Sequence, residues 1–177
     1  MKKIDLKSDK VLMILLTIFL IISRLLPHPP NFVPFTAAAL FFGKRFGFKN
    51  NTLIIIVASI FSDIFLGFHS TIIFVYSAYL FINIFAKIVD RLKLDTGLFN
   101  PFFASSIFFV WTNLGVWLYS GMYEKTFSGL INCFFLALPF WKNSLLSDHL
   151  FYLVFIGAEA LVFRLNQSKN ILSPKSI

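Results

Sequence analysis

Arg24, Asp63, Asn113 and Asp148 are the residues of this chain best equipped for chemistry, because each places a charged or amide group inside an apolar segment. A charged side chain facing hydrocarbon costs at least about 2.5 kcal/mol on insertion scales, so such groups turn toward the bundle interior and pair. Arg24 needs a carboxylate, and either Asp63 or Asp148 could supply it. Asn31 adds an amide, while His28, His69 and Trp117 fall near the ends of apolar segments. The chemistry this set suits is binding. Arg24 and Asn31 would donate, Asp63 and Asp148 would accept, and the amide of Asn113 could do both, a mixture fitted to a zwitterionic or heteroaromatic solute. His28, His69 and Trp117 would stand at the mouth of such a pocket.

Catalysis has little support. Neither aspartate sits in a G-x-G-D motif, and the chain has no phosphate-binding glycine loop, no H-E-x-x-H pair and no nucleophile elbow. The three histidines lack zinc-ligand spacing, so no metal site or cofactor is expected. The single cysteine, Cys133, excludes an internal disulfide.

The backbone that would position these groups breaks between Arg24 and Gly43, in R-L-L-P-H-P-P-N-F-V-P-F-T-A-A-A-L-F-F-G. Pro27, Pro29, Pro30 and Pro34 each remove an N–H and push the preceding residue toward extended geometry. Irregular backbone at membrane depth survives only where protein or a watery cavity satisfies it, so this stretch is read as a site wall.

Composition sets the class. A chain of 177 residues with 58% hydrophobic and 14% charged residues belongs in a bilayer, as one integral membrane domain over residues 1–177. The expected fold is an all-α transmembrane bundle of about six spanning helices plus one short re-entrant or tilted segment. A polar leader (1–10) precedes a first helix over Val11–Leu26, and a second, short one runs from Thr36 to Phe46, where Ala37, Ala38 and Ala39 allow close backbone approach. Thr52–Phe68, Thr71–Ile88 and Asn100–Tyr119 follow. Phe127–Trp141, interrupted by Pro139, falls short of a full crossing, and Leu145–Leu165 is the last span before a basic tail (166–177).

The formal net charge of +8 reflects membrane orientation rather than nucleic-acid binding, since the basic residues lie in short loops and tails. With both termini cytoplasmic, in a bacterial inner membrane, 13 of the 16 lysines and arginines fall inside, provided residues 127–141 enter and leave on the outer face. In that arrangement Arg24, Asp63 and Asn113 share one level, roughly 17 to 20 Å from the cytoplasmic end. Asp148, His149, His69, His28 and Asn31 lie closer to the outer surface, and Glu159, near the inner side, has Lys87 as its candidate partner.

Four motifs carry a resemblance: Arg24 to Gly43, S-D-I-F-L-G-F-H (Ser62 to His69), T-N-L-G-V-W (Thr112 to Trp117) with G-M-Y (Gly121 to Tyr123), and L-P-F-W-K-N-S-L-L-S-D (Leu138 to Asp148). Together they resemble a bacterial family of small, uncharacterised integral membrane proteins described as candidate transport proteins. More distantly, the size, the helix number and the aspartate-glycine end of the third segment are similar to the substrate-binding S components of energy-coupling-factor transporters. That second likeness implies a transmembrane coupling subunit with ATPases as partner. S components typically offer it an A-x-x-x-A face on the first helix, whereas Val11 to Ile22 is bulky and lacks alanine. The expectation is a non-enzymatic subunit of the bilayer that takes up a small polar solute from the outer face. The other reading is a scaffold or assembly factor whose polar residues only hold helices together. An open cavity favours the first, and polar groups closing upon one another favour the second.

Overall fold

A computed structural model describes residues 6–94 and 97–172. Its elements are all helices: α1 (Leu6–Leu25), α2 (Phe35–Leu66), α3 (Ile72–Arg91), α4 (Phe99–Tyr119) and α5 (Phe127–Leu172). Among the described residues four stretches are long and apolar enough to cross a membrane: α2, α3, α4 and the Phe127–Val162 part of α5. The six crossing helices expected from sequence are therefore not found, and neither is the separate re-entrant segment. α1 is apolar only from Val11 onward, and its 20 residues include Lys7, Asp9, Lys10 and Arg24.

Two features of the backbone account for the rest of the difference. α2 is broken at Gly47, whose φ of 75° and ψ of 164° are not helical. That conformation is open to glycine because it has no Cβ. The Asn51 side chain donates to the Ala39 carbonyl at 2.7 Å. Twelve residues along a straight helix would separate these two by roughly 18 Å, so the chain folds back on itself at Gly47. The limb 35–46 lies against the limb 48–66, and at 12 residues it is roughly 18 Å long, well short of a hydrocarbon layer of about 30 Å. Ala37, Ala38 and Ala39 are fully buried, as close approach requires.

α5 makes the opposite correction. Residues 127–141 and 145–165 belong to one helix that runs through Pro139. A proline inside a helix removes one backbone hydrogen bond, which spanning helices tolerate when neighbours satisfy the freed groups. Here α4 lies antiparallel alongside: Cys133 Sγ contacts the Asn113 carbonyl at 3.5 Å, and the Phe109 ring packs on Phe134 at 5.5 Å and Trp141 at 5.2 Å. Ser144 spends its hydroxyl on the Phe140 carbonyl, so the polar run after Trp141 does not end the helix.

Leu20, Phe35, Leu40, Ile55 and Ile82 centre the core, and Phe155 of α5 closes it against Phe41 and Phe42. Ile73, Phe65 and Phe135 are among many large apolar side chains on the outside, a surface suited to lipid. Two polar ties fix the Gly47 end. Asn83 of α3 donates to the Phe48 carbonyl at 3.1 Å and Thr52 Oγ1 at 2.6 Å, and accepts from Asn51 at 3.1 Å. Asp9 of α1 holds Arg45 at 3.0 Å.

Gly115 of α4 is buried against the Phe74 side chain of α3. A methyl group there would overlap the Phe74 ring. Gly115→Ala is expected to lower stability by about 1 to 3 kcal/mol, the usual cost of overpacking, read as a lower melting temperature in detergent.

Candidate functional site

The helix ends opposite Gly47 carry the three loops 26–34, 67–71 and 120–126, and the site is built beneath them. Its first fixed point is Arg24, in the last turn of α1. The guanidinium meets Asp63 Oδ1 at 2.6 Å through Nη2, while Nη1 donates to Ser62 Oγ at 2.9 Å and the Ser59 carbonyl at 3.4 Å. Tyr76 of α3 donates to Asp63 Oδ2 at 2.7 Å. Asp63 is 1% exposed and the Arg24 side chain 17%, so the pair is desolvated mainly on its carboxylate side. Arg24 also lies 5.8 Å from the centre of the Phe35 ring.

The second fixed point is Asp148 of α5. Ser105 of α4 donates to its Oδ2 at 2.5 Å, and the Ala37 N–H donates to the same carboxyl group. Ala37 stands in the first turn of α2, where backbone N–H groups have no partner within the helix and an anion is favoured by the helix dipole. Pro34 in the capping position offers no side-chain bond, so α5 supplies the cap in its place. Ser147 donates to the Val33 carbonyl at 2.9 Å and Asn143 to that of Pro30 at 3.0 Å. The two Ser-Asp dipeptides thus perform matching tasks, Ser62-Asp63 holding the end of α1 and Ser147-Asp148 holding the proline stretch and the start of α2.

Between these points lies an open cavity of about 550 Å³. Six of the eight residues expected at the site line it: Arg24, His28, Asn31, His69, Asn113 and Asp148. Thr36, Tyr79 and Thr112 add hydroxyls, and Val75, Phe108 and Phe140 give it apolar walls. Asp63 lies behind Arg24, outside the lining. Trp117 is also outside it, its indole N–H donating to the Glu124 carbonyl at 2.9 Å and its ring facing Lys125 at 5.7 Å. His28 has Nδ1 2.8 Å from the Pro29 carbonyl and Nε2 3.2 Å from that of Arg24, which pins the loop to the end of α1. His69 bonds Thr71 Oγ1 at 3.0 Å. Asn31 sits at a φ of 60°, a left-handed turn conformation that asparagine tolerates better than most residues. One N–H of the Asn113 amide is spent on the Phe109 carbonyl at 2.8 Å, leaving its oxygen and second N–H available to a solute. His149 belongs elsewhere, bonding the carbonyls of Leu145 and Leu98 at 2.7 and 3.1 Å toward the Gly47 end. Among the described residues no three His, Cys, Asp or Glu side chains gather as a metal would require.

A family profile matches residues 5–171, nearly the whole chain. The chain belongs to DUF6580, a family of unknown function. No curated protein and no solved structure matches it. What a DUF6580 chain does must therefore be argued from the cavity itself. Sequence reasoning missed Tyr79, Thr36, Thr112 and Ser144 as lining, and Ser105 and Tyr76 as the partners that hold the two aspartates. Helical spacing carries the signal for several of them: Val75 and Tyr79, Thr112 and Val116, and Leu136, Phe140, Ser144 and Asp148 each recur at intervals of four on the face turned to the cavity.

Proposed function

We propose that this DUF6580 protein is a membrane-embedded binding or transport subunit that receives a small polar solute from the side of the loops 26–34, 67–71 and 120–126. The observation that carries the reading is the open cavity of about 550 Å³ at the loop end of the helices, where Arg24, Asn31, Thr36, Tyr79, Asn113 and Asp148 stand among apolar walls. Arg24 is already paired with Asp63, and Asp148 already accepts from Ser105 and the Ala37 amide, so a net-neutral solute suits the site better than a strongly charged one. Hydroxyls of Thr36, Thr112 and Tyr79 and the amides of Asn31 and Asn113 supply hydrogen bonds, and Phe108 and Phe140 supply faces for a flat ring. A coupling subunit with ATPases remains the partner that would turn binding into uptake. The direct test is mass spectrometry of small molecules released from protein purified in mild detergent. A defined solute lost on mutation of the cavity supports the reading, and an empty cavity that no solute stabilises refutes it.

We further propose that both termini are cytoplasmic, so that the cavity faces outward. The chain reverses direction at 26–34, Gly47, 67–71, between α3 and α4, and at 120–126, which leaves the start of α1 and the far part of α5 at one end. Among the described residues that end carries ten lysines and arginines (Lys7, Lys10, Lys44, Arg45, Lys49, Lys87, Arg91, Lys93, Arg164 and Lys169), without any need for a re-entrant segment. Reporter fusions at either terminus are expected to read as cytoplasmic. A C-terminal tag accessible only from outside intact cells would sink the assignment.

A further inference from the structure

We propose that the groove between the Gly47 turn and the end of α3 is a binding site for an anionic phospholipid. The groove encloses about 250 Å³ and is lined by Phe48, Ile84, Lys87, Ile88 and Arg91. Lys87 and Arg91 are four residues apart on α3 and so stand one above the other on the same face. Neither forms an ion pair among the described residues, where the pairs are Arg24 with Asp63 and Arg45 with Asp9. Glu159, the partner expected for Lys87, is exposed on α5 and makes no such pair, and Asp90 does not line the groove. Lys87 is instead placed over the Phe48 ring at 5.7 Å, and the backbone that carries this ring is tied to α3 by the bond from Asn83 to the Phe48 carbonyl at 3.1 Å. The seat is thus fixed by buried structure rather than by chance contact of surface side chains.

Its two halves ask for an amphiphile. Ile84 and Ile88 are 42% and 49% exposed and extend the groove along α3 toward the middle of the bundle, where an acyl chain would lie. Lys87 and Arg91 stand at the helix end, at the depth of a headgroup, and two cations with no carboxylate partner among the described residues complement one phosphodiester. A soluble anion would satisfy the charges and leave the apolar half empty. The groove lies at the end of the bundle away from the solute cavity, so the proposal stands whether or not that cavity transports anything.

The test uses the full chain in detergent, titrated with phosphatidylglycerol, phosphatidylcholine or glycerol phosphate, with melting temperature and lipid retained in native mass spectrometry as readouts. Phosphatidylglycerol is expected to raise the melting temperature, and the other two are expected to leave it unchanged. Lys87→Gln with Arg91→Gln should weaken the apparent affinity about thirtyfold, from roughly fivefold per basic side chain near a membrane surface. Lys44→Gln with Lys49→Gln removes the same charge at the same end outside the groove and should leave the affinity unchanged. Equal losses in both double variants, no loss in the first, or an equal response to glycerol phosphate would each overturn the proposal. If the Lys87/Arg91 variant does not fold, Ile84→Trp keeps the charge and fills the acyl seat. An undiminished phosphatidylglycerol response in that variant would likewise overturn it.

Discussion

Asp63→Asn is expected to destabilise the protein by about 3 kcal/mol or more, because it leaves the Arg24 guanidinium partly buried without its counter-charge. The structure gives that loss no easy relief. Arg24 is held from three directions, by Asp63 Oδ1, by Ser62 Oγ and by the Ser59 carbonyl, and its stem ends a helix that cannot swing away without dragging the proline stretch behind it. Arg24→Gln alone should cost a similar amount, since Asp63 at 1% exposure would keep only the Tyr76 hydroxyl as a strong partner. Combining Asp63→Asn with Arg24→Gln removes both charges and leaves two amides able to bond each other, so the double variant should recover a substantial part of the loss. The expected coupling is on the order of 1 to 3 kcal/mol, read from melting of the four proteins in one detergent. Strictly additive losses would show that the two residues act independently despite lying 2.6 Å apart.

That pair was legible in the sequence because membrane physics makes charge in an apolar segment conspicuous. Counting residues from the ends of two segments put Arg24 and Asp63 at one depth, and a charge at that depth must find its opposite. The proline stretch was legible for a similar reason, since four prolines within eight residues leave a helix no way through. The span count failed where local signals were ambiguous. Pro139 looked like a stop, yet a single missing N–H costs little beside the packing of Phe134, Trp141 and Asp148 on α4, so tertiary contact overrode the local signal. Gly47 sent the contrary error. The boundary near it was visible, but a one-residue reversal produces two limbs of a single element, and only the Asn51 to Ala39 bond shows how tightly they close.

The role of Asp148 was the least legible part of the site. A carboxylate in a membrane helix suggests a ligand for a solute, and in the sequence it stood at the presumed start of a final span, near the outer surface. Because α5 begins at Phe127, Asp148 is instead 21 residues along the helix, roughly 32 Å from its start, and reaches the N-terminus of α2. Nothing local to residues 145–150 announces a cap supplied by another helix, since the backbone amide it satisfies, that of Ala37, is more than a hundred positions away. The same holds for Asn31, whose left-handed backbone makes it a turn residue as well as a cavity residue. Replacing it by alanine would strain the loop and blur any binding effect, whereas Asn31→Gly keeps the backbone conformation accessible and removes only the amide.

Asn113 allows the cleanest separation of binding from folding. Its side chain lines the cavity, and its bond inside the protein goes to the Phe109 carbonyl of its own helix, so Asn113→Ala strands no charge and breaks no hydrogen bond between helices. The variant should insert, purify and melt within about 1 kcal/mol of the parent. A solute that bonds the freed oxygen of Asn113 would lose that partner in a partly desolvated site, so its affinity should fall about tenfold or more. Ser106→Ala is the matched control. Ser106 lies on the same helix and bonds the carbonyl four residues back in the same way, yet it does not line the cavity, so binding should be unaffected. Titration of the copurified solute against the three proteins decides the matter. If Asn113→Ala and Ser106→Ala behave alike toward the solute, the cavity is not its seat. If Asn113→Ala is instead lost at the level of expression or partner copurification, the polar residues serve assembly, as a scaffold would require.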